Sequence, residues 1–333
     1  MSAFELFVRW TARCAAIALL AAHPAAATAQ TISLPAFDAG AFSTAFDFIG
    51  DGRLVAYTGD NVFLQNAVGS SSFTLLGSVP SQFRGGSDPG FILTAPDGLF
   101  FILSAGAGGA KFPDPNFNGN TYLLPITGGE AQLIARIPLS FAGAFGRSSS
   151  ELLVDQGNAF PSPPSATSSQ VVRLDLATGQ VQPVVANIPG LSGGVGIDRE
   201  GNVYTGIGFL QGRTGEIHRF RKEVVAEAVK TGVPVDFAAG TFVATSLSAD
   251  PLLFDRGGDL LVGGGDVNTP GGQSGFIAEI DPRTGVLDRQ IDPEAGAGEK
   301  SFAIAIDHLR GCTLAASDFF DPMRTVFFVS VCE

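Results

Sequence analysis

Oxygen-bearing side chains recur at spaced positions along this 333-residue chain. Asp60 with Asn61, Asp155 with Asn158, Asp266 with Asn268, and Asp318 with Asp321 each follow an apolar run. Asp88 and Asp250 each precede a proline and the next apolar run. Carboxylates that converge without a neighbouring Lys or Arg repel one another, and a hard cation with oxygen ligands relieves that repulsion. Asp88 and Asp250 are therefore candidate metal ligands, with Ca2+ as the natural ion. Residues 114–120, DPNFNGN, form a second oxygen-rich stretch in which Asp114, Asn116 and Asn118 alternate ahead of Gly119, as at the start of a calcium loop. The twelfth position is Pro125 instead of a bidentate Glu, so no EF-hand is expected. Asp and Asn are also favoured in turns because their side chains bond the local backbone, and that preference yields the same pattern with no ligand at all. Nothing in the sequence requires a cofactor.

Other catalytic constellations are scarce. Beyond the first thirty residues the histidines are His218 and His308, and neither accompanies a serine-centred elbow. The glycine-rich stretches GAGGA from Gly106 and GGGDVNTPGG from Gly263 lack the lysine and helix entry of a phosphate loop.

The elements that must position these residues form a repeat. FDFIGDGRLVAYTG from Phe46, FILTAPDGLFFIL from Phe91, VGIDREGNVYTG from Val195, LLFDRGGDLLVGGG from Leu252 and FAIAIDHLRGCTLAAS from Phe302 each read as two strands joined by a tight turn. A second hairpin follows most of them, as in VVRLDLATGQVQPVV from Val171 and FIAEIDPRTGVLDRQI from Phe276. Its turn runs from Asp175 to Gly179 and from Asp281 to Gly285, the glycine taking the left-handed conformation that only it adopts cheaply. Paired hairpins at this period predict an all-β fold, a six-bladed β-propeller with seven blades as the alternative. The blades centre on 46–65, 91–135, 142–185, 195–225, 252–291 and 302–332. The last has three clear strands, and residues 31–37 at the N-terminal side supply the fourth and close the ring, which removes two exposed sheet edges. Residues 221–230, RKEVVAEAVK, predict either a short helix between blades four and five or a charged outer strand.

This phasing sends the long loops 105–120, 156–169, 264–274 and 317–324 to one face. Asp60, Asp155, Asn158, Asp266, Asn268 and Asp318 are the ligand-facing candidates there, and Asp88 and Asp250 fall near the mouth of the central channel. His308 falls in an inner turn on the opposite face.

Residues 1–29 read as a signal peptide. Arg9 and Arg13 precede an apolar core, and Ala27-Thr28-Ala29 offers small residues for cleavage after Ala29. The expected mature product is a single propeller domain, 30–333, secreted or periplasmic, and no later run reaches the ~20 apolar residues of a transmembrane anchor. An even pair of cysteines then remains, Cys312 and Cys332, for which a disulfide is expected outside the cytosol and two buried thiols are the alternative. The net charge of −12 argues against nucleic acid, because phosphate contacts need a Lys/Arg surface. A small molecule, a glycan or a protein remain as partners.

The inner turns Asp198-Arg-Glu-Gly201 and Asp255-Arg-Gly-Gly258, with LDLATGQV from Leu174 and IDPRTGVL from Ile280, resemble the NHL-repeat, YVTN-type and gluconolactonase-like propellers. The resemblance spans most of 31–333 and implies the fold. Gluconolactonase-like enzymes hold a divalent metal in the channel with Glu and Asn/Asp ligands, but no early Glu-Gly-Pro or Asn-Asp-Gly occurs here, so no catalytic residue carries over. Two functions follow: a ligand- or protein-binding, surface-associated scaffold acting through the long-loop face, or a divalent-metal-dependent hydrolase or lactonase at the channel mouth. A lyase of the streptogramin type needs a histidine on the ligand's side, which the placement of His308 disfavours.

Overall fold

Short apolar runs build six sheets in chain order, each holding a four-stranded antiparallel blade, in a computed structural model that describes residues 30–35, 44–84, 89–106, 119–146, 148–157, 168–190, 193–208, 215–246, 249, 251–264, 277–291, 302–318 and 325–332. Strand β1 (Thr31–Ser33) opens the described chain. Blade one is β2 (Thr44–Phe48), β3 (Leu54–Thr58), β4 (Asn61–Gln65) and β5 (Phe73–Ser78), hydrogen-bonded in that order. Blade two is β6 (Phe91–Thr94), β7 (Phe100–Ser104), β8 (Asn120–Pro125) and, after the two-residue β9 (Gly129–Glu130), β10 (Gln132–Arg136). Blade three is β11 (Gly143–Phe145), β12 (Glu151–Gly157), β13 (Ser168–Asp175) and β14 (Val181–Pro189). Blade four is β15 (Val195–Ile197), β16 (Val203–Gly206), β17 (Gly215–Phe220) and, after helix α1 (Lys222–Thr231) and β18 (Val235–Asp236), β19 (Thr241–Ser246). Blade five is β20 (Leu252–Phe254), β21 (Leu260–Val262), β22 (Ala278–Ile280) and β23 (Leu287–Gln290). Blade six is β24 (Phe302–Ile306), β25 (Thr313–Asp318) and β26 (Thr325–Ser330), completed by β1.

The innermost strand of each blade packs on that of the next, and β24 packs on β2, so the ring closes as a six-bladed propeller. Closure uses the expected N-terminal strand: Thr31, Ile32 and Ser33 pair antiparallel with Phe327, Val326 and Thr325. Period-2 alternation sends successive side chains to opposite faces of each blade. The core is accordingly divided into six clusters, one at each blade interface; Tyr57, Phe101 and Leu103 meet between blades one and two, and Leu54, Ala56 and Val326 fill the seam between blades six and one. The Cys312–Cys332 disulfide is present and ties β25 to β26, the strand that receives β1.

Two details depart from the sequence reading. Residues 222–231 are a helix, but it lies inside blade four, between the third and fourth strands, and not between blades four and five. Val225 and Ala228 turn inward, and the Gln182 side-chain amide of blade three donates to the Ala228 and Val229 carbonyls at 3.2 and 2.8 Å. Together with β18, which pairs parallel with β14, the insertion covers the outer edge of the preceding blade. Blade one likewise extends beyond 65 to β5, whose edge receives β9 from blade two in the same parallel manner.

Candidate functional site

The two ends of the ring are built differently. At one end the turns between first and second strands occupy only 49–53, 95–99, 146–150, 198–202, 255–259 and 307–312. At the other, the connections between second and third strands occupy 105–119, 158–167, 207–214, 263–277 and 319–324 in blades two to six, against 59–60 in blade one. Long connections on a rigid scaffold are where binding groups are carried.

Most of the predicted site residues belong to those connections. Asp114, Asn116, Asn118, Asn158, Asp266 and Asn268 lie outside the described residues, as do Asp88, Asp250 and the side chain of Asp318. Pro89 and Pro251, directly after the two channel-mouth candidates, lead into the innermost strands β6 and β20, Pro89 two residues ahead of its strand and Pro251 one. Asp60 closes the two-residue turn of blade one, its carbonyl accepting from Val79 N at 2.9 Å. Asp155 is buried, and its carboxylate accepts from Phe141 N at 2.9 Å and Ala142 N at 2.7 Å, so it braces the entry to its own blade. At this same end Tyr122 is wholly buried beside Phe83. Burial, with the Asp60 charge adding to it, pushes its phenol up to about 12, so it stays a neutral hydroxyl.

At the short-turn end the repeated aspartates act on their own backbone. Asp198 accepts from Glu200 N and Asn202 N, Asp255 from Gly258 N and Asp259 N, and Asp307 from Arg310 N, Cys312 N and Thr313 N, all at 2.7–3.0 Å. For Asp307 burial opposes the charge, but these N–H groups outweigh it and hold the carboxyl below its ordinary range.

A carboxylate group that the sequence reading passed over sits at that end of blade five. One oxygen each from Asp255, Asp259 and Glu279 lies within 4.8 Å of the others, the one such trio among the described residues. Asp255 and Asp259 flank the inner turn, and Glu279 reaches the same side from β22. Burial first, then the charges of Asp255, Asp288 and Asp281, hold the Asp259 carboxyl above its ordinary range. Three hard oxygens suit a divalent cation, although the Arg289 guanidinium already meets Glu279 at 2.7 Å. Glu279 lies twenty residues beyond Asp259, and only strand pairing brings it in.

Among the described residues, the innermost strands offer few ligands for a metal. The innermost strands read TAFDF, FILT, GAF, VGI, LLF and FAIAI, with Asp47 their single acidic residue. The Asp47 carboxylate is held by Phe48 N, Thr94 N and His308 Nε2 at 2.7–3.2 Å. The described channel residues therefore do not match the Glu and Asn/Asp set that the gluconolactonase-like resemblance implies. His218, in blade four, bonds Glu216 at 3.0 Å through Nε2 and stacks on Phe237 at 4.2 Å, a packed position away from the channel.

No protein-family model matches the chain, and a search of curated proteins returns no match. Solved structures do match. A gluconolactonase from Xanthomonas campestris superposes with a TM-score of 0.56 at 13% identity, covering 86% of each chain. An α-L-arabinanase from Penicillium chrysogenum, solved with arabinobiose, gives 0.56 at 12% identity over 92% of this chain and 99% of its own. A putative TolB from Agrobacterium tumefaciens gives 0.50 at 14% identity over 74% and 79%. These likenesses are of fold, and they agree with the propeller resemblance of the inner and outer turns.

Proposed function

We propose that this chain is an exported propeller that binds an extended ligand, a glycan or a protein surface, on the face formed by its long connections. The asymmetry of the ring carries the reading: blades two to five place a second-to-third-strand connection of at least eight residues at one end, while every turn between first and second strands at the other end is five or six residues long, and the long segment at that end is the helix insertion of blade four. The polar residues of 114–118, with Asn158, Asp266 and Asn268, fall within those connections and would supply hydrogen bonds. Export follows from residues 1–29 read as a signal peptide, and the Cys312–Cys332 bridge suits an oxidising compartment.

One observation favours a second reading. Asp88 and Asp250 each stand in the sequence before a proline that leads into the innermost strand of its blade, and blades two and five face each other across a six-membered ring. A Ca2+ ion held there would serve a metal-dependent hydrolase or lactonase. The solved propellers include a lactonase, a glycosidase and a TolB, so fold does not choose between the readings. Turnover does. The purified 30–333 chain, offered lactones and aryl esters in calcium and in chelator, is expected to give no reaction above buffer in either. Calcium-dependent turnover that disappears in Asp250→Ala would replace the binding reading with the hydrolase.

A further inference from the structure

We propose that the 307–312 turn of blade six is a pH-operated latch on the seam of the ring. The seam is where the two ends of the chain join without a covalent link: β1 contributes three residue pairs to β26, and side-chain packing between blades six and one adds to them. Asp47 stands at this junction on the innermost strand of blade one, its side chain 7% exposed. Its oxygens accept from Phe48 N at 2.8 Å and from Thr94 N of blade two at 2.7 Å, while His308 of blade six reaches them at 3.1 and 3.2 Å. One carboxylate thus joins three successive blades, and Thr94 Oγ1 reinforces it by donating to the Phe48 carbonyl at 2.7 Å. Among the described residues no lysine or arginine forms an ion pair with Asp47, so His308 is its cation.

The turn that presents His308 is fixed on both sides. Gly311 O accepts from Arg256 N of blade five at 2.9 Å, and Cys312 is bonded to Cys332. The charged groups around the ring are Asp47 from β2 and Asp307 from its own turn, the latter committed to backbone N–H groups. Arg310 lies in the same turn, Asp51 and Arg53 of the blade-one turn pair with one another, and Asp97 of the blade-two turn accepts from Leu99 N. The Asp47 charge dominates and raises the histidine pKa above its ordinary value, burial working against it. A raised histidine pKa contributes stability that is complete below the unfolded value, about 6.5, and is lost as pH rises through the folded value. The latch is closed in acid and released toward alkaline pH, where a buried carboxylate keeps two amide donors and no cation.

The test is hydrogen exchange of the intact protein at pH 6 and 8.5, corrected for intrinsic rates, with the amides of 31–33 and 44–48 normalised to those of 195–206. Wild-type seam protection should fall by about tenfold for each unit by which folding raises the pKa, an upper bound because the histidine is 42% exposed and screened. His308→Gln should show the low seam protection at both pH values, and His218→Gln should behave as wild type. Should His308→Gln lose the same protection between the two pH values as wild type, or should wild-type seam and blade four respond alike, the latch is overturned. Thermal melts of the same proteins across that pH range confirm that each variant is folded.

Discussion

Replacing one glycine in an outer turn measures how strongly successive blades lean on each other. Gly179 and Gly285 have φ of 71° and 72°, and a Cβ at these positions lies 2.4 Å from the Ile134 carbonyl and 2.1 Å from the Val243 carbonyl. Each carbonyl belongs to the outer strand of the preceding blade. Gly98 and Gly232 have nearly the same backbone, φ of 70° and 74°, with nothing within 4 Å of the added carbon. Alanine at any of the four bears the left-handed strain, about 1–2 kcal/mol. At 179 and 285 the facing carbonyl must also retreat by about 1 Å to restore contact, and overpacking of this kind costs about 1–3 kcal/mol. Gly179→Ala and Gly285→Ala should therefore lose about 2–5 kcal/mol, and Gly98→Ala and Gly232→Ala about 1–2. Urea unfolding at equal slope reads the difference, since the gain from a stiffer unfolded chain is common to all four. Equal losses at the four sites would refute the inter-blade role of the outer-turn glycine.

Four further outcomes follow from named contacts. Asp259→Asn should raise the melting temperature at neutral pH and converge with wild type below the ordinary carboxylate range, because a carboxyl whose pKa is raised on folding weakens the fold as it ionises. Added Ca2+ should stabilise wild type more than that variant, as melts in calcium and in chelator would register. Cys312→Ser with Cys332→Ser should cost about 3 kcal/mol by the chain-entropy estimate for a separation of 20 residues, read in denaturant against the oxidised protein. Gln182→Ala should remove about 1 kcal/mol and raise protease cutting within 222–240 before other described segments open, seen by mass spectrometry of the first fragments.

The blades were legible because five of the six inner hairpins read as two continuous apolar runs around an Asp or Gly turn, a local signal, and strands buried on both faces such as LVAYT and LLV carry it most plainly. Ring closure by β1 was legible for the same local reason, since blade six lacked a strand and the N-terminal side had one to spare. Strand β5 escaped notice because FTLLGS is half exposed and its apolar residues do not alternate. A helix was one of the two readings that RKEVVAEAVK allowed, and its place inside blade four depends on β19 returning to pair with β17, which no local pattern encodes. Turn chemistry explained the left-handed glycines, whereas their approach to the preceding blade is a contact across the fold. The His308–Asp47 pair spans 261 residues, and it was beyond any reading of neighbours. Likewise, Asp255 and Asp259 were visible in their turn, but Glu279 joined them only through the pairing of β21 with β22.

The long-connection face is tested most directly by giving blade five the short turn that blade one already uses. Replacing residues 263–277 with Gly-Asp-Ile, the Gly59-Asp60 dipeptide followed by the buried Ile277, preserves the strands that flank the connection and their core contact, and a matched change of 281–286 that keeps Asp281 and Gly285 alters the opposite end. Wild type and both variants are then compared for binding to an immobilised panel of polysaccharides and glycoproteins. Wild type and the 281–286 variant should bind the same members of the panel, and the 263–277 variant should lose them. Binding unchanged by the 263–277 replacement, or abolished by the change at the other end, would contradict binding on the long-connection face.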